Sequence, residues 1–506
     1  MTDNQFKKYN LIVGWAVFAV ALITYGLTVE PTVSFWDCGE YIATSAKLEV
    51  GHPPGAPLFQ MMGAFIAAFA PNSDKIALFV NYMSVLSSAF TVLFLYFIIV
   101  NLTKKIALKR TDSVEEKTPA TLTQGQFIAV LGSGVVGALA YTFSDSFWFN
   151  AVEAEVYAMA MLFMSAMFWL GIKWTDSLHE PRGDRWLLLI SLVVGLSFGV
   201  HFMALLTIPA IGMLYFFKSN YKKTVVNFII ANVVSIAILL LIFKLILPYT
   251  LAYFGYLEVF FVNSFGMPFN SGTIIAGLSV IAFFYFTLNY AYKQNKVRLQ
   301  TGILCLLFVF IGFSSWLMIP IRANADTVIN ENSPTDARLL LAYYNLEQYP
   351  ETHLFYGPMY SDKYAGLDEE NPYEDAKPKY ERDYALGKYI IVNQYKNAQM
   401  ASNSKQEGVL PRMWSAQHAA NYMKLTGLLT FRIKEEAYNE PKLYQFLQEV
   451  QRQMQIQPLP PERYDQFLTE YRDYIEVEKP SFWKNMHYLF EYQFGYMYFR
   501  YFAWNF

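Results

Sequence analysis

The chain has 506 residues, 54% of them hydrophobic, 18% aromatic and 16% charged, with a net charge of −2. A soluble domain carries about 25% charged residues, so this composition excludes an ordinary soluble protein. With no basic excess and no Lys/Arg cluster among exposed aromatics, nucleic acid is not expected as a partner.

Lys7 and Lys8 precede the first apolar stretch, 10–29, which has about the 20 residues that a spanning helix needs. It ends in Leu27-Thr28-Val29 with no small-residue cleavage pattern, so it reads as a retained helix. The loop that follows is SFWDCGEYIATSAKLEVGHPPGAPLF (34–59). Asp37 and Glu40 are three apart and share a helical face that Tyr41 and Thr44 extend, until His52-Pro53-Pro54-Gly55 breaks the helix. One reading is a helix start whose acids favour the dipole. The other, which carries more weight, is a site, because ionisable groups are costly at a membrane edge.

The run 57–70 is too short to span and reads as interfacial or re-entrant. Spans are expected at 76–101, 124–143 and 151–172. In SDSFWFNAVEAEVYAMAMLF (144–163), Glu153 and Glu155 fall in the expected first turns of a helix. Two apart, they point about 200° from one another, so at most one faces a given pocket. A dipole role beside an aromatic belt and a functional role stay equally open. The run 186–217 is too long for one crossing; Gly195, Gly199, His201 and Pro209 inside it predict a pair of broken helices. His201 then sits at the apex, either packed or functional. Further spans are expected at 224–247, 273–292 and 299–320, and Arg322 follows the last, placed either to snorkel or to hold a phosphate.

Lys104, Lys105, Lys109, Arg110, Lys173, Arg182, Arg185, Lys218, Lys222, Lys223, Lys293, Lys296 and Arg298 fall on one side of this map, with Lys7 and Lys8. The positive-inside rule makes the N-terminus cytoplasmic and puts 30–75, 144–150, 248–272 and everything after 320 outside. The tail, 321–506, is richer in Tyr, Gln, Glu and Lys, with helix-like pieces at 442–455 and 464–477. Its aromatic end, FEYQFGYMYFRYFAWNF, reads as interfacial. Cys38 and Cys305 are too differently placed to form a disulfide. There is no HExxH, no CxxC pair and no P-loop, so the pattern offers no metal or nucleotide site. Gly132, Gly134 and Gly137 give a small-residue helix contact.

The runs WDCGEYIATSAKLEVGHPPGAPLF, FNAVEAEVYAMAMLF, GLSFGVHFMALLTIP and IPIRANADTVINENSPTDA, with LPRMW (410–414) and YQFGYMYFRYFAWNF (492–506), resemble the bacterial membrane family related to protein O-mannosyltransferases. That family belongs with the multi-spanning glycosyltransferases of the GT-C type. The resemblance implies an all-α polytopic membrane protein: a GT-C-like transmembrane helix bundle over 1–320, with outer-face interfacial helices, and a mostly helical extracytoplasmic region over 321–506. Family members run on past RYFAWNF, so that region is expected to be incomplete. No β-trefoil sugar-binding domain is recognisable in it.

The resemblance further implies transfer of a sugar, mannose, from a polyprenyl-phosphate donor to a Ser/Thr hydroxyl of an exported protein. The setting would be the outer face of a bacterial inner membrane. The catalytic acid falls on Asp37, with Glu40 beside it, and the EVY motif matches Glu155 rather than Glu153. Tyr41, His52, His201 and Arg322 are the expected substrate-binding residues. No cofactor is expected, and a divalent cation stays open; membrane lipid is the remaining partner. A transporter or lipid flippase is the rival, but such proteins hold ionisable residues near the midplane. Here Lys244 is the only one well inside a predicted span. A non-catalytic scaffold would leave the first loop unexplained.

Overall fold

The computed structural model describes residues 2–111 and 122–505, which form two compact units divided between Gln348 and Tyr349. The first unit is all helix: α1 (Asp3–Leu27), α2 (Cys38–Lys47), α3 (Pro57–Ala67), α4 (Ile76–Thr111), α5 (Gln124–Thr142), α6 (Asp145–Ala151), α7 (Val156–Asp176), α8 (Arg185–Ser197), α9 (Thr207–Lys218), α10 (Val225–Leu240), α11 (Leu247–Phe265), α12 (Ser271–Lys293), α13 (Val297–Phe313), α14 (Met318–Ala323) and α15 (Ala337–Tyr344). Seven of the described helices are long and apolar enough to cross a membrane. The protein is an all-α polytopic membrane protein, as expected. The side chains of Lys109 and Arg110, counted above among the basic residues, lie outside the described set.

Sequence chemistry sets the helix ends. Thr2 and Gln5 cap α1 reciprocally, and Thr123 and Gln126 do the same for α5. The α8 and α13 backbones meet at glycines: a Cβ on Gly195 would lie 2.2 Å from the Val309 oxygen, and one on Gly312 2.4 Å from the Leu196 nitrogen. Such contacts are how helices approach closely in lipid.

The long apolar run is broken as expected, between Ser197 and a short 3-10 turn over Phe202–Leu206. The break has a partner. The Gly199 carbonyl accepts from the N–H groups of Leu58 and Phe59 (2.8 and 3.1 Å), the orphan donors at the start of α3. A side chain on Gly199 would sit 2.6 Å from Ser315 Oγ and 2.7 Å from Leu58 Cβ, so only glycine allows this docking. The short run thus forms an 11-residue helix seated in the broken pair.

Two segments differ from expectation. Residues 248–272 read as a loop, yet the helix continues from Val225 to Phe265. Pro248 lacks the N–H that an α-helical bond needs, and a π-helical stretch over Leu241–Ile246 absorbs the defect. In α11 the buried Glu258 then caps α12, accepting from the Asn270 and Thr273 N–H groups at 2.6 and 2.8 Å. Second, the helix expected from residue 151 is interrupted. α6 ends at Ala151, and α7 starts only at Val156. The first unit also extends past residue 320, with Leu340, Tyr343 and Tyr344 of α15 in the same core as Phe198 and Trp316.

The second unit has its own core, built on Tyr364, Met413, Met423, Leu447, Tyr464 and Leu468. It mixes α16 (Ala419–Thr426), α17 (Pro441–Ile456), α18 (Pro461–Glu470), α19 (Phe482–His487) and α20 (Arg500–Ala503) with four two-stranded antiparallel pairs. These are β1 (Tyr356–Pro358) with β6 (Glu407–Val409), β2 (Tyr373–Glu374) with β5 (Gln399–Met400), β3 (Tyr380–Asp383) with β4 (Lys388–Ile391), and β7 (Phe431–Ile433) with β8 (Ile475–Val477). The helix expected over 464–477 ends at Glu470. Ile475 and Val477 bury alternate side chains in β8, as β-branched residues in a strand do. The aromatic end is π-helical over Tyr488–Phe499.

Candidate active site

α2 begins at Asp37, and how it begins decides what Asp37 is for. Asp37 occupies the N-cap with helical φ and ψ (−82° and 0°), and its carboxylate makes no capping hydrogen bond. The residue before it, Trp36, holds a left-handed φ of 62°, a strained position for a bulky side chain. The Asp37 side chain is 61% exposed and free to meet a substrate. A helix-start acid would be spent on the backbone; this one is not.

Glu40, one turn on, faces the same way and is fully engaged. One oxygen accepts from the His52 backbone N–H (2.6 Å), the other meets His52 Nδ1 (2.9 Å). Gly51 makes room, since a Cβ there would lie 2.7 Å from Glu40 Oε1. His52 Nε2 is turned to Asp37, 3.9 Å from Oδ2. The hydrogen bond to Glu40 raises the imidazole's pKa, and the same bond lowers that of the Glu40 carboxyl. The contact thus favours the protonated form of His52 beside the ionised form of Glu40. Tyr41 packs its ring on His52 and on Phe59, and burial keeps its phenol protonated far above neutral pH.

The turn carrying His52 is held from outside. Gly55 closes it through a hydrogen bond to the His52 carbonyl (2.9 Å) and has a φ of 75° that favours glycine. The Tyr343 hydroxyl donates to the Gly51 carbonyl and lies 3.1 Å from that of His52. The Val50 N–H donates to the Ile329 carbonyl and the Glu331 N–H to the Val50 carbonyl, at 3.1 Å each, bridging Val50 to Asn330. Arg322 belongs to the same clamp: Nε donates to the Leu48 carbonyl (2.5 Å) and Nη2 to that of Lys47 (3.3 Å). That is the end of α2 opposite Asp37, about 15 Å away along the helix.

The break before α7 supplies the third acid. Glu153 and Glu155 are not on a helix. Both are buried in the irregular link, and they diverge. Glu153 accepts from the Ser34 hydroxyl, and the Glu30 N–H donates to the Val152 carbonyl (3.0 Å), tying the two loops together. Glu155 turns toward the cluster. Burial pushes its carboxyl up to about 7, with the charge of Asp37 adding to the shift and that of His52 opposing it. Asp37 and Glu155 both lie within electrostatic reach of the Tyr41 and Tyr157 phenols.

His201 lies against the Tyr157 ring, with centroids 5.3 Å apart. Its Nδ1 accepts from the Met203 N–H (3.1 Å), so the neutral ring carries its proton on Nε2. Asp37, Glu40, Tyr41 and His52 therefore touch or face one another, Glu155 and Tyr157 adjoin them, His201 follows, and Arg322 stands apart. A core beneath them joins Cys38, Tyr41, Phe59, Ala154, Val156 and Val200. Sequence reasoning missed Tyr157, although the EVY motif ends on it. It also missed Tyr343, whose role depends on a contact that no local pattern announces.

A carboxyl and an imidazole with raised pKa values beside an exposed acid suit general acid–base chemistry with an anionic leaving group. Asp37, Glu40 and His52 also each offer an atom within 4.8 Å of the others, an oxygen and imidazole donor set that a divalent cation accepts.

Residues 37–225 match the family model of the protein O-mannosyl-transferase TMEM260 N-terminal domain, and residues 350–490 match a family of unknown function (DUF8416). The chain is 24% identical over 254 residues to protein O-mannosyl-transferase tmem260 of Dictyostelium discoideum, covering 47% of this chain and 28% of that one. It is 24% identical over 162 residues to protein O-mannosyl-transferase TMEM260 of Mus musculus, covering 32% of this chain and 19% of the mouse protein. The match thus spans less than a third of either relative. No solved structure matches the chain. The likeness is to an O-mannosyltransferase-like family, and its matched segment holds Asp37, Glu40, Tyr41, His52, Glu155, Tyr157 and His201.

Proposed function

We propose that the protein is a glycosyltransferase that moves mannose from a polyprenyl-phosphate donor to a Ser or Thr hydroxyl of an exported protein. The reaction would take place at the outer face of a bacterial inner membrane. The observation that carries this reading is the Asp37–His52–Glu40 arrangement inside the segment similar to the TMEM260 N-terminal domain. The outer-face assignment rests on the distribution of Lys and Arg.

In the proposed inverting step, the acceptor oxygen forms a bond to the anomeric carbon. Its proton passes to an Asp37 oxygen, and the bond from the anomeric carbon to the phosphate oxygen breaks. The electron pair leaves with the polyprenyl phosphate. His52, kept cationic by Glu40, lies where it can meet the phosphate charge. Glu155, partly protonated near neutrality, donates to or accepts from the sugar or acceptor hydroxyls, and Tyr41, Tyr157 and His201 line their approach. Arg322 serves by fixing the end of α2 and, through it, Asp37.

The rival, a transporter or flippase, gains no support, since the ionisable cluster sits at helix ends rather than mid-span. Liposomes holding the protein and a labelled polyprenyl-phosphate mannose separate the readings. Transfer of label to an acceptor peptide is expected; translocation of the lipid without transfer would sink the enzyme reading.

A further inference from the structure

A cavity of about 730 Å³ lies among α8, α9, α10 and α13, and none of the residues named above as site residues lines it. Its size falls in the usual range for small-ligand pockets. On α13 the wall is the stripe Gly302, Cys305, Leu306 and Val309; on α10 it runs from Asn227 to Ser235, and beyond through the π-helical stretch to Ile246. Asn227 to Ile246 spans about 28 Å at 1.5 Å per residue, most of the ~30 Å thickness of a hydrocarbon core. Ser235 is the buried residue of α10, and most of the helix's other residues are exposed.

The cavity lining is mostly apolar. At the end lined by Trp174, Tyr215, Tyr221 and Asn227, the Trp174 indole nitrogen is buried and has no hydrogen-bond partner among the described residues. Tyr215 stacks flat on that ring (5.1 Å, 7°), fixing its direction. A buried donor left unpaired is costly, so an acceptor is missing there.

Charge indicates what brings the acceptor. Lys222 adjoins the lining Tyr221, and its carbonyl accepts from the Asn227 side chain at 2.8 Å. Arg298 precedes Gly302 by one turn on the cavity-facing stripe of α13. Both side chains are exposed and form no ion pair among the described residues. Of the acids at this end, Asp176 is neutralised by Lys105 (2.7 Å) and Lys218 (3.4 Å), and Asp184 accepts from the Thr301 hydroxyl (3.2 Å).

We propose that this cavity binds one chain of an anionic glycerophospholipid, with the headgroup at Lys222 and Arg298 and an ester or phosphate oxygen on the Trp174 indole N–H. α8 runs from this mouth at Leu187 to the break at His201, so the headgroup lies at the opposite end from Asp37. The site is therefore separate from the position where a sugar donor would react, and it does not depend on the proposed transferase activity.

The test uses the full chain in phosphatidylcholine vesicles and follows Trp174 emission, taken as the difference between the wild type and Trp174→Phe. Brominated phosphatidylglycerol should quench it at lower mole fraction than brominated phosphatidylcholine, by about fivefold for each cation engaged. Lys222→Gln with Arg298→Gln should bring the two curves together. Ala231→Phe, which fills the cavity, should remove the quenching by either lipid. Equal quenching by both lipids in the wild type would overturn the proposal. So would preferential quenching by a brominated polyprenyl phosphate, which would assign the cavity to that lipid instead. Should Ala231→Phe fail to fold, the charge pair of variants still decides the matter. Transfer activity, measured in the same vesicles, reports separately on the Asp37 site.

Discussion

Glu40 holds His52 twice, at the backbone N–H (2.6 Å) and at Nδ1 (2.9 Å), and so aims Nε2 at Asp37. The pair is charged between the lowered pKa of Glu40 and the raised pKa of His52. His52's share of the stability is complete below its ordinary 6.5 and is lost as pH rises through the raised value. Glu40's share is complete above its ordinary 4.5 and is lost as pH falls through the lowered value. In Glu40→Gln the imidazole loses its main support while burial still opposes its charge. An NMR titration of the His52 ring should therefore shift to lower pH. An unmoved titration would remove Glu40 from the account.

Glu155 has the opposite problem: it is buried, and its carboxyl is pushed up to about 7. A raised acid favours the folded state fully below its unfolded value of 4.5, and that favour is lost as pH rises through about 7. The wild type should lose on the order of 3 kcal/mol of stability from this group across that window. Glu155→Gln should flatten the decline in thermal midpoint between pH 5 and 8. Parallel curves for the two proteins would show that Glu155 titrates normally.

Arg322 is spent on the Lys47 and Leu48 carbonyls rather than aimed at Asp37. A positioning role predicts that Arg322→Ala lowers kcat on the order of tenfold or more, through misplacement of α2, with little change in the donor KM. Arg322→Lys should recover part, since one ammonium reaches one carbonyl but lacks the fork. A large rise in donor KM with kcat preserved would instead put the guanidinium on the phosphate.

Gly199 is the contact through which the broken pair carries α3. Gly199→Ala forces a methyl group against Ser315 and Leu58, an overpacking that costs about 1–3 kcal/mol. The thermal midpoint should fall, and transfer should fall with it, because His201 and the turn after α2 move together. A neutral outcome would mean that α3 docks loosely.

Much of this was legible in advance. The spans follow from apolar length, and the broken pair from Gly195, Gly199 and Pro209 in one long run. Asp37 and Glu40 declare their shared face by spacing. Other features depend on contacts between distant segments. Glu153 and Glu155 looked helical because their neighbours are good helix formers, whereas the Ser34 and Glu30 contacts pull the link out of the helix. The helix past Pro248 was hidden because proline reads as a stop unless a π register absorbs it. Tyr343 and Arg322 clamp a loop about 290 and 275 residues away in the chain, a relation that no local pattern encodes.

The central claim rests on Asp37 as the base. Asp37→Asn keeps the side chain's shape and, because the carboxylate caps nothing, should leave α2 intact. The measurement is single-turnover transfer from labelled polyprenyl-phosphate mannose to an acceptor peptide in liposomes, alongside donor binding. The account predicts a loss of at least about 10²-fold in transfer, with donor binding and thermal midpoint near wild type. Transfer by Asp37→Asn at the wild-type rate would contradict it and move the search for the base to Glu155.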